Sequence, residues 1–125
     1  MTHNEKYKDN VLLLKSFDFS LKIIDYTEVL QDRHKYVLAN QLLKSGTSIG
    51  ANSKEAQNAE SKADFIHKLK IAIKEADETE YWLNLCNAHQ SYPDCKHLLA
   101  DVSELLRILN KIIATTKLKN SGNIF

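Results

Sequence analysis

Between Lys62 and His89, Phe65, Leu69, Ala72, Ala76, Thr79, Leu83 and Cys86 recur at spacings of four and three without a break. This is the seam of a long helix packed against another helix, and no strand alternation competes with it. A second line, Ile71, Glu75, Glu78, Trp82, Leu85 and His89, lies roughly 100° around the same helix. A helix that is apolar over more than one stripe needs more than one neighbour. The first seam is sufficient for a single-chain bundle. The second, with Trp82 in it, predicts a contact between subunits.

The rest of the chain offers partners of the same kind. One proline and three glycines in 125 residues leave little punctuation, so the elements must be few and long. A first helix is predicted from about Asn10 to Leu30, with a seam of Leu13, Phe17, Ser20, Leu21, Ile24 and Thr27. Asp32 is placed to cap a second helix, from about Arg33 to Ala56. Gln57 to Glu60 can continue that helix or form a loop. Ser61 with Asp64 reads as a capping pair for the third helix. Pro93 suits the start of a fourth, from about Asp94 to Lys119, whose seam is Leu98, Val102, Leu105, Leu109 and Ile112, widened by Leu99, Leu106 and Ile113. Gly122 follows as a stop. The expected architecture is all-α: an up-down-up-down antiparallel four-helix bundle over residues 10–119, with a flexible tail at 1–9 and another at 120–125.

The second helix holds the least ordinary stretch, Gln41 to Gln57. Gly46 and Gly50 sit one turn apart, and each costs roughly 1 kcal/mol against Ala in a helix interior. Close approach of another backbone would offset that cost. They share a small-residue face with Leu38, Leu42, Ile49, Ser53 and Ala56, which reads as core. Beside it runs a polar stripe of Gln41, Ser45, Ser48, Asn52 and Glu55, either solvated or part of an interface. Ser48, Asn52 and Glu55 are spaced so that their side chains can touch.

No residue set answers to a catalytic role. There is no GxSxG and no phosphate-binding glycine loop. Cys86 lies on an apolar seam, and Cys86 and Cys95 read as reduced thiols of a cytoplasmic protein. A carboxylate metal site could draw on Glu55, Glu75, Glu78 and His89. The Asp64-x-x-His67 and Asp94-x-x-His97 pairs instead fall in first turns, where capping accounts for the aspartates. The expectation is therefore no metal and no cofactor. Seventeen basic and sixteen acidic residues give a net charge of +1, which supplies no global attraction to nucleic acid. Lys70, Lys74, Lys111, Lys117 and Lys119 are the candidate contacts should a local patch form. No apolar run is long enough to span a membrane.

The run SGTSIGANSKEAQ, followed by SKADFIHKLKIAIKEADETEYWL, resembles a known bacterial family, the four-helix-bundle proteins encoded in intervening sequences of 23S rRNA genes. The resemblance rests on Ser48, Ile49, Asn52 and Glu55, then on Phe65, Ala72 and Glu78, and extends over Phe17 to Ile113. It implies a ring-like homo-oligomer, typically a homopentamer, with no established molecular role. It also implies kinship in fold with the accessory protein of diversity-generating retroelements, which binds nucleic acid and a reverse transcriptase through a basic surface. The chain departs from these patterns in having Ala56 where the family often has Gly, and in lacking a strongly basic balance. The function expected is a non-enzymatic, self-assembling binding or scaffold module. The alternatives are an RNA-binding accessory protein, whose partner is RNA or an RNA-associated protein, and a carboxylate-bridged metal enzyme.

Overall fold

Two polar caps precede the longest apolar periods, and both form. The Asn10 side chain accepts from the Leu13 amide at 3.1 Å, and Ser61 Oγ accepts from the Asp64 amide at 3.0 Å. Each satisfies one of the amide donors that a helix start leaves open. The computed structural model describes residues 1–121. It contains one short helix, α1 (His3–Lys6), and four long ones, α2 (Val11–Asp32), α3 (Tyr36–Ala56), α4 (Lys62–Ala88) and α5 (Lys96–Ser121). No strand occurs among the described residues. The fold is all-α.

Several boundaries differ from expectation. The polar N-terminal stretch holds the single helical turn of α1, capped by Thr2 and tied to α2 where His3 stacks on Phe17 at 4.1 Å. Asp32 caps nothing. It is the last residue of α2, and α3 starts at Tyr36 without a side-chain cap. Gln57 to Glu60 is a loop. Pro93 lies outside α5, which begins at Lys96 and runs to Ser121. Gly122 and the rest of the expected C-terminal stop lie outside the described residues.

The α2–α3 corner explains the first of these shifts. The His34 amide donates to the Gln31 carbonyl at 2.9 Å, and the Lys35 amide to the Leu30 carbonyl at 2.8 Å. This double closure places His34 at φ 62°, the left-handed position usually given to glycine. A side chain there costs about 1–2 kcal/mol. We expect His34→Gly to raise unfolding free energy by about 0.5–1 kcal/mol, once the extra freedom of glycine in the unfolded chain is deducted. A urea midpoint at or below that of the parent would contradict this account of the corner.

Helix α3 packs on both α2 and α4, while α5 packs on α4 and, along a narrower seam, on α2. Landmarks fix the register. Gly46 faces Ile23, and Gly50 faces Ser16. Ser45 meets Thr79, and Glu55 meets Lys68. Lys15 pairs with Glu104 and Lys22 with Asp101, both at 3.0 Å. Across each of these three seams, the later landmark on one helix meets the earlier one on the other.

The seam of α4 is buried as its spacing requires, with only Phe65 half-buried at the end. That of α5 is buried through Leu98, Val102, Leu105 and Leu109, and Ile113 lies deeper than Ile112. The seam of α2 is rotated from expectation. Leu13 and Thr27 are buried as expected, but Phe19, Ile23, Tyr26 and Leu30 carry most of the core face, whereas Leu21 and Ile24 are 48% and 39% exposed. Helix α2 is apolar around most of its circumference. The glycines of α3 stand against the buried side of α2, Gly46 at Ile23 and Gly50 at Ser16.

The α4–α5 corner is pinned from three sides. Tyr26 donates its hydroxyl to the Pro93 carbonyl at 2.7 Å, Cys95 Sγ to the Leu83 carbonyl at 3.2 Å, and Lys35 Nζ to Ser91 Oγ at 3.2 Å. Cys86 and Cys95 are buried free thiols. Burial pushes the Cys86 thiol up to about 11 and raises Cys95 as well. Both therefore stay protonated and unreactive near neutral pH.

Candidate functional site

The α3–α4 seam brings the polar stripe of α3 beside the second line of α4. Below the surface, Thr79 donates its hydroxyl to Ser45 Oγ at 2.9 Å. Further along, Lys68 Nζ donates to Glu55 Oε1 at 3.1 Å, and the Lys44 charge acts on Glu75 across the seam. Gln41, Ser48, Asn52 and Glu55 thus form one bank of an outward face, and Ile71, Glu75, Glu78 and Trp82 the other. Leu85 continues the second bank and is 40% exposed.

Two expectations for this stripe need correction. Ser45 belongs to the interior, fully buried against Thr79. Ser48, Asn52 and Glu55 do not join side chain to side chain. Ser48 Oγ donates to the Lys44 carbonyl at 2.6 Å, Asn52 Nδ2 to the Ser48 carbonyl at 2.8 Å, and Glu55 turns to Lys68. Small polar groups in a helix commonly turn back onto carbonyls one turn earlier. Here the habit engages Ser48 and Asn52 with their own helix. Gly46 and Gly50 serve close packing as expected, on α2 rather than on this face.

On the α4 bank, Trp82 is half-buried against the core and its Nε1 donates to Glu78 Oε2 at 3.2 Å. The Tyr81 ring meets it edge-on at 5.3 Å. Indole, phenol and Leu85 together present apolar surface at the end of α4, where α3 starts with exposed Tyr36 and Val37.

A family model described as 23S rRNA-intervening sequence protein matches residues 8–111. The chain belongs to that family. A solved relative is the crystal structure of a protein with unknown function from the S23 ribosomal protein family of Bacteroides thetaiotaomicron VPI-5482. It is 42% identical to this chain and superposes with a TM-score of 0.79, covering 82% of this chain and 98% of its own. No curated protein matches the chain. The residues on which the resemblance rests occupy three settings. Ile49 and Ala72 lie in the core, Phe65 is half-buried at its edge, and Ser48, Asn52, Glu55 and Glu78 lie on the α3–α4 face.

Glu75 is an acid whose ionisation this setting shifts. Desolvation raises its pKa above the ordinary carboxylate value, the neighbouring Glu78 charge adds to the rise, and Lys44 opposes both. An acid whose folded pKa is raised favours the fold when protonated, so ionising it as pH climbs removes stability. Glu75→Gln is therefore expected to be more stable than the parent at neutral pH, with the difference vanishing as pH falls below the ordinary carboxylate range. Thermal melts of both proteins across pH 3–7 check this; a constant difference would remove Glu75 from the account.

The remaining candidates are dispersed. Among the described residues no group of three or more His, Cys, Asp or Glu side chains gathers to hold a metal ion. Asp64 is engaged at the α4 cap, and His89 bonds Ser91 at the opposite end of that helix. The lysines divide into two sets. Lys70 and Lys74 are exposed one turn apart on α4, while Lys111, Lys117 and Lys119 lie on α5. Lys111 and Lys119 join Lys62 on the rim of a groove at one end of the bundle. That convergence joins positions roughly fifty residues apart, so spacing along a single helix gives no hint of it. No helix among the described residues is long and apolar enough to cross a membrane.

Proposed function

We propose that the chain is a non-enzymatic, self-assembling module: an up-down-up-down antiparallel bundle whose copies close into a ring, with the α3–α4 face as the subunit contact. The observation that carries the reading is the composite character of this face. A half-buried Trp82, an exposed Leu85 and a half-buried Ile71 lie beside a stripe in which the Ser48 hydroxyl and the Asn52 amide are already bonded to their own helix. Such a surface loses little when it is desolvated, and an aromatic anchor is the commonest centre of binding energy at interfaces. The order of contacts between neighbouring helices supports the alternating topology. Family membership supports a ring of five, and two buried thiols suit a reducing compartment such as the cytoplasm. The assembled ring would then act as a scaffold for a protein partner.

Light scattering on a sizing column, at low and high salt with absorbance at 260 nm, tests this. We expect a salt-stable mass near five chains, free of nucleic acid. A monomer at all concentrations would refute the assembly. A ring that carries nucleic acid only at low salt would move the function to RNA binding through the α5 lysines.

A further inference from the structure

A ring of more than two copies cannot close by pairing one patch with itself. Each α3–α4 face must meet a different surface of the next copy, in a heterologous contact. The direction of that second surface is constrained. Closing five copies needs two contact directions about 108° apart, whereas directions about 180° apart build an open filament. The α2–α5 side lies opposite α3–α4, and its Lys15 and Lys22 are already matched by Glu104 and Asp101 across the seam. The α2–α3 and α4–α5 sides remain, each roughly 90° from the α3–α4 face.

The α4–α5 side keeps Ile66, Ile73, Leu99 and Leu106 half-buried against the core. The α2–α3 side leaves Leu21 and Ile24 exposed. At about 100° per residue, Ser20 and Ile24 fall on the α3 side of α2, and Leu43 and Thr47 on the α2 side of α3. Ser20 Oγ donates to the Ser16 carbonyl at 2.9 Å, and Thr47 Oγ1 to the Leu43 carbonyl at 2.6 Å. This side thus repeats the character of the α3–α4 face: apolar groups stand beside hydroxyls bonded to their own helix, and desolvating them loses little.

The levels of the two faces also match. Thr79 stands beside Ser45, and Gly46 beside Ile23. Trp82 leans back along α4 to donate to Glu78, which brings its ring to the level of these landmarks. Ile24 and Thr47 follow Ile23 and Gly46 in the chain and so occupy the same level on the α2–α3 side. Where bundle axes follow the symmetry axis of a ring, equal levels of neighbouring copies meet.

We propose that the α2–α3 side of each copy receives the α3–α4 face of the next, with Trp82 seated against Leu21, Ile24 and Thr47. This inference rests on the ring reading above and names the surface that completes it. The occupant is a second copy of this chain.

The test compares native masses of the full chain and its variants by light scattering at high protein concentration. Leu21→Glu combined with Ile24→Glu sets two carboxylates against Glu75 and Glu78 of the next copy, and is expected to give a single chain with helix content intact. Thr47→Glu reports on the same side from the other helix and decides the matter if the double variant does not fold. Arg107→Glu, exposed on α5, should keep the parent mass. Mixing is the sharper readout. The Ile71→Asp chain retains its α2–α3 side, and the Leu21→Glu, Ile24→Glu chain retains its α3–α4 face. Each alone should be a monomer, and an equal mixture should pair as two chains and stop there. An assembled parent whose α2–α3 variants keep its mass, or a mixture that stays monomeric, would overturn this contact and leave the ring standing. A monomeric parent would remove the ring reading and this contact together.

Discussion

Gly46→Val is expected to lower the unfolding free energy by about 3 kcal/mol, the upper end of the usual cost of overpacking. A Cβ built on Gly46 would stand 2.9 Å from both Cγ1 and Cγ2 of Ile23, and Ile23 is completely buried under α3. It has no open space to move into, so either α2 or α3 must shift. Gly46→Ala meets the same contact with fewer atoms and gains about 1 kcal/mol of helix propensity, so its net loss should be nearer 1 kcal/mol. Gly50 provides the control. Its added Cβ would stand 3.3 Å from Ser16 Oγ and 3.4 Å from the Ser16 carbonyl oxygen, a contact that a few tenths of an ångström would relieve. Gly50→Ala should therefore match or slightly exceed the parent. Urea denaturation of the three variants separates the sites. Equal stabilities at Gly46 and Gly50 would mean that α2 and α3 do not approach most closely at Gly46.

The second large effect concerns assembly. Ile71→Asp is expected to reduce the native mass from the ring to a single chain. On the proposed contact it buries a new carboxylate beside Glu75, which already resists ionisation, and an unpaired charge in an interface costs several kcal/mol. Every subunit contact in a ring would carry that cost. Trp82→Ala should act in the same direction, since removing a central aromatic anchor commonly costs 2 kcal/mol or more per contact, on the order of a thirtyfold change in affinity. Trp82 also packs against the core, so the variant should lose some monomer stability. Ile71→Asp is the cleaner test, and circular dichroism should show its helices intact. If both variants keep the parent mass, the α3–α4 face is not the subunit contact.

How far the sequence disclosed this structure varied from helix to helix. Helix α4 was fully legible, because its seam uses small or apolar residues at unbroken spacing and the opposite positions are charged. Helix α2 was not. Leu21 and Ile24 satisfy a helical period as well as Ile23 and Tyr26 do, and the space left by Gly46 favours Ile23. Ser45 shows the same limit at one residue. Its angle around α3 lies between the two faces, and the Thr79 hydroxyl on another helix decides that it is interior. The α2–α3 corner was hidden because histidine, not glycine, takes its left-handed position. The groove escaped notice because it joins the start of α4 to the end of α5. The α3–α4 face was the most accessible of the candidate sites, since both its lines are periodic, although Ser48 and Asn52 bond to backbone carbonyls of their own helix and Glu55 turns to Lys68.

The pinned α4–α5 corner has a consequence for kinetics. Cys86 and Cys95 lie beneath it, protonated and out of reach of solvent, while Tyr26 and Lys35 hold the loop from the neighbouring helix pair. A thiol reagent can reach either sulfur only when that corner lifts. The labelling rate in native buffer then acts as a clock for local opening, and its dependence on low urea separates loop release from global unfolding. Tyr26→Phe removes one of the pins and should make that clock run faster with little change in the rest of the bundle.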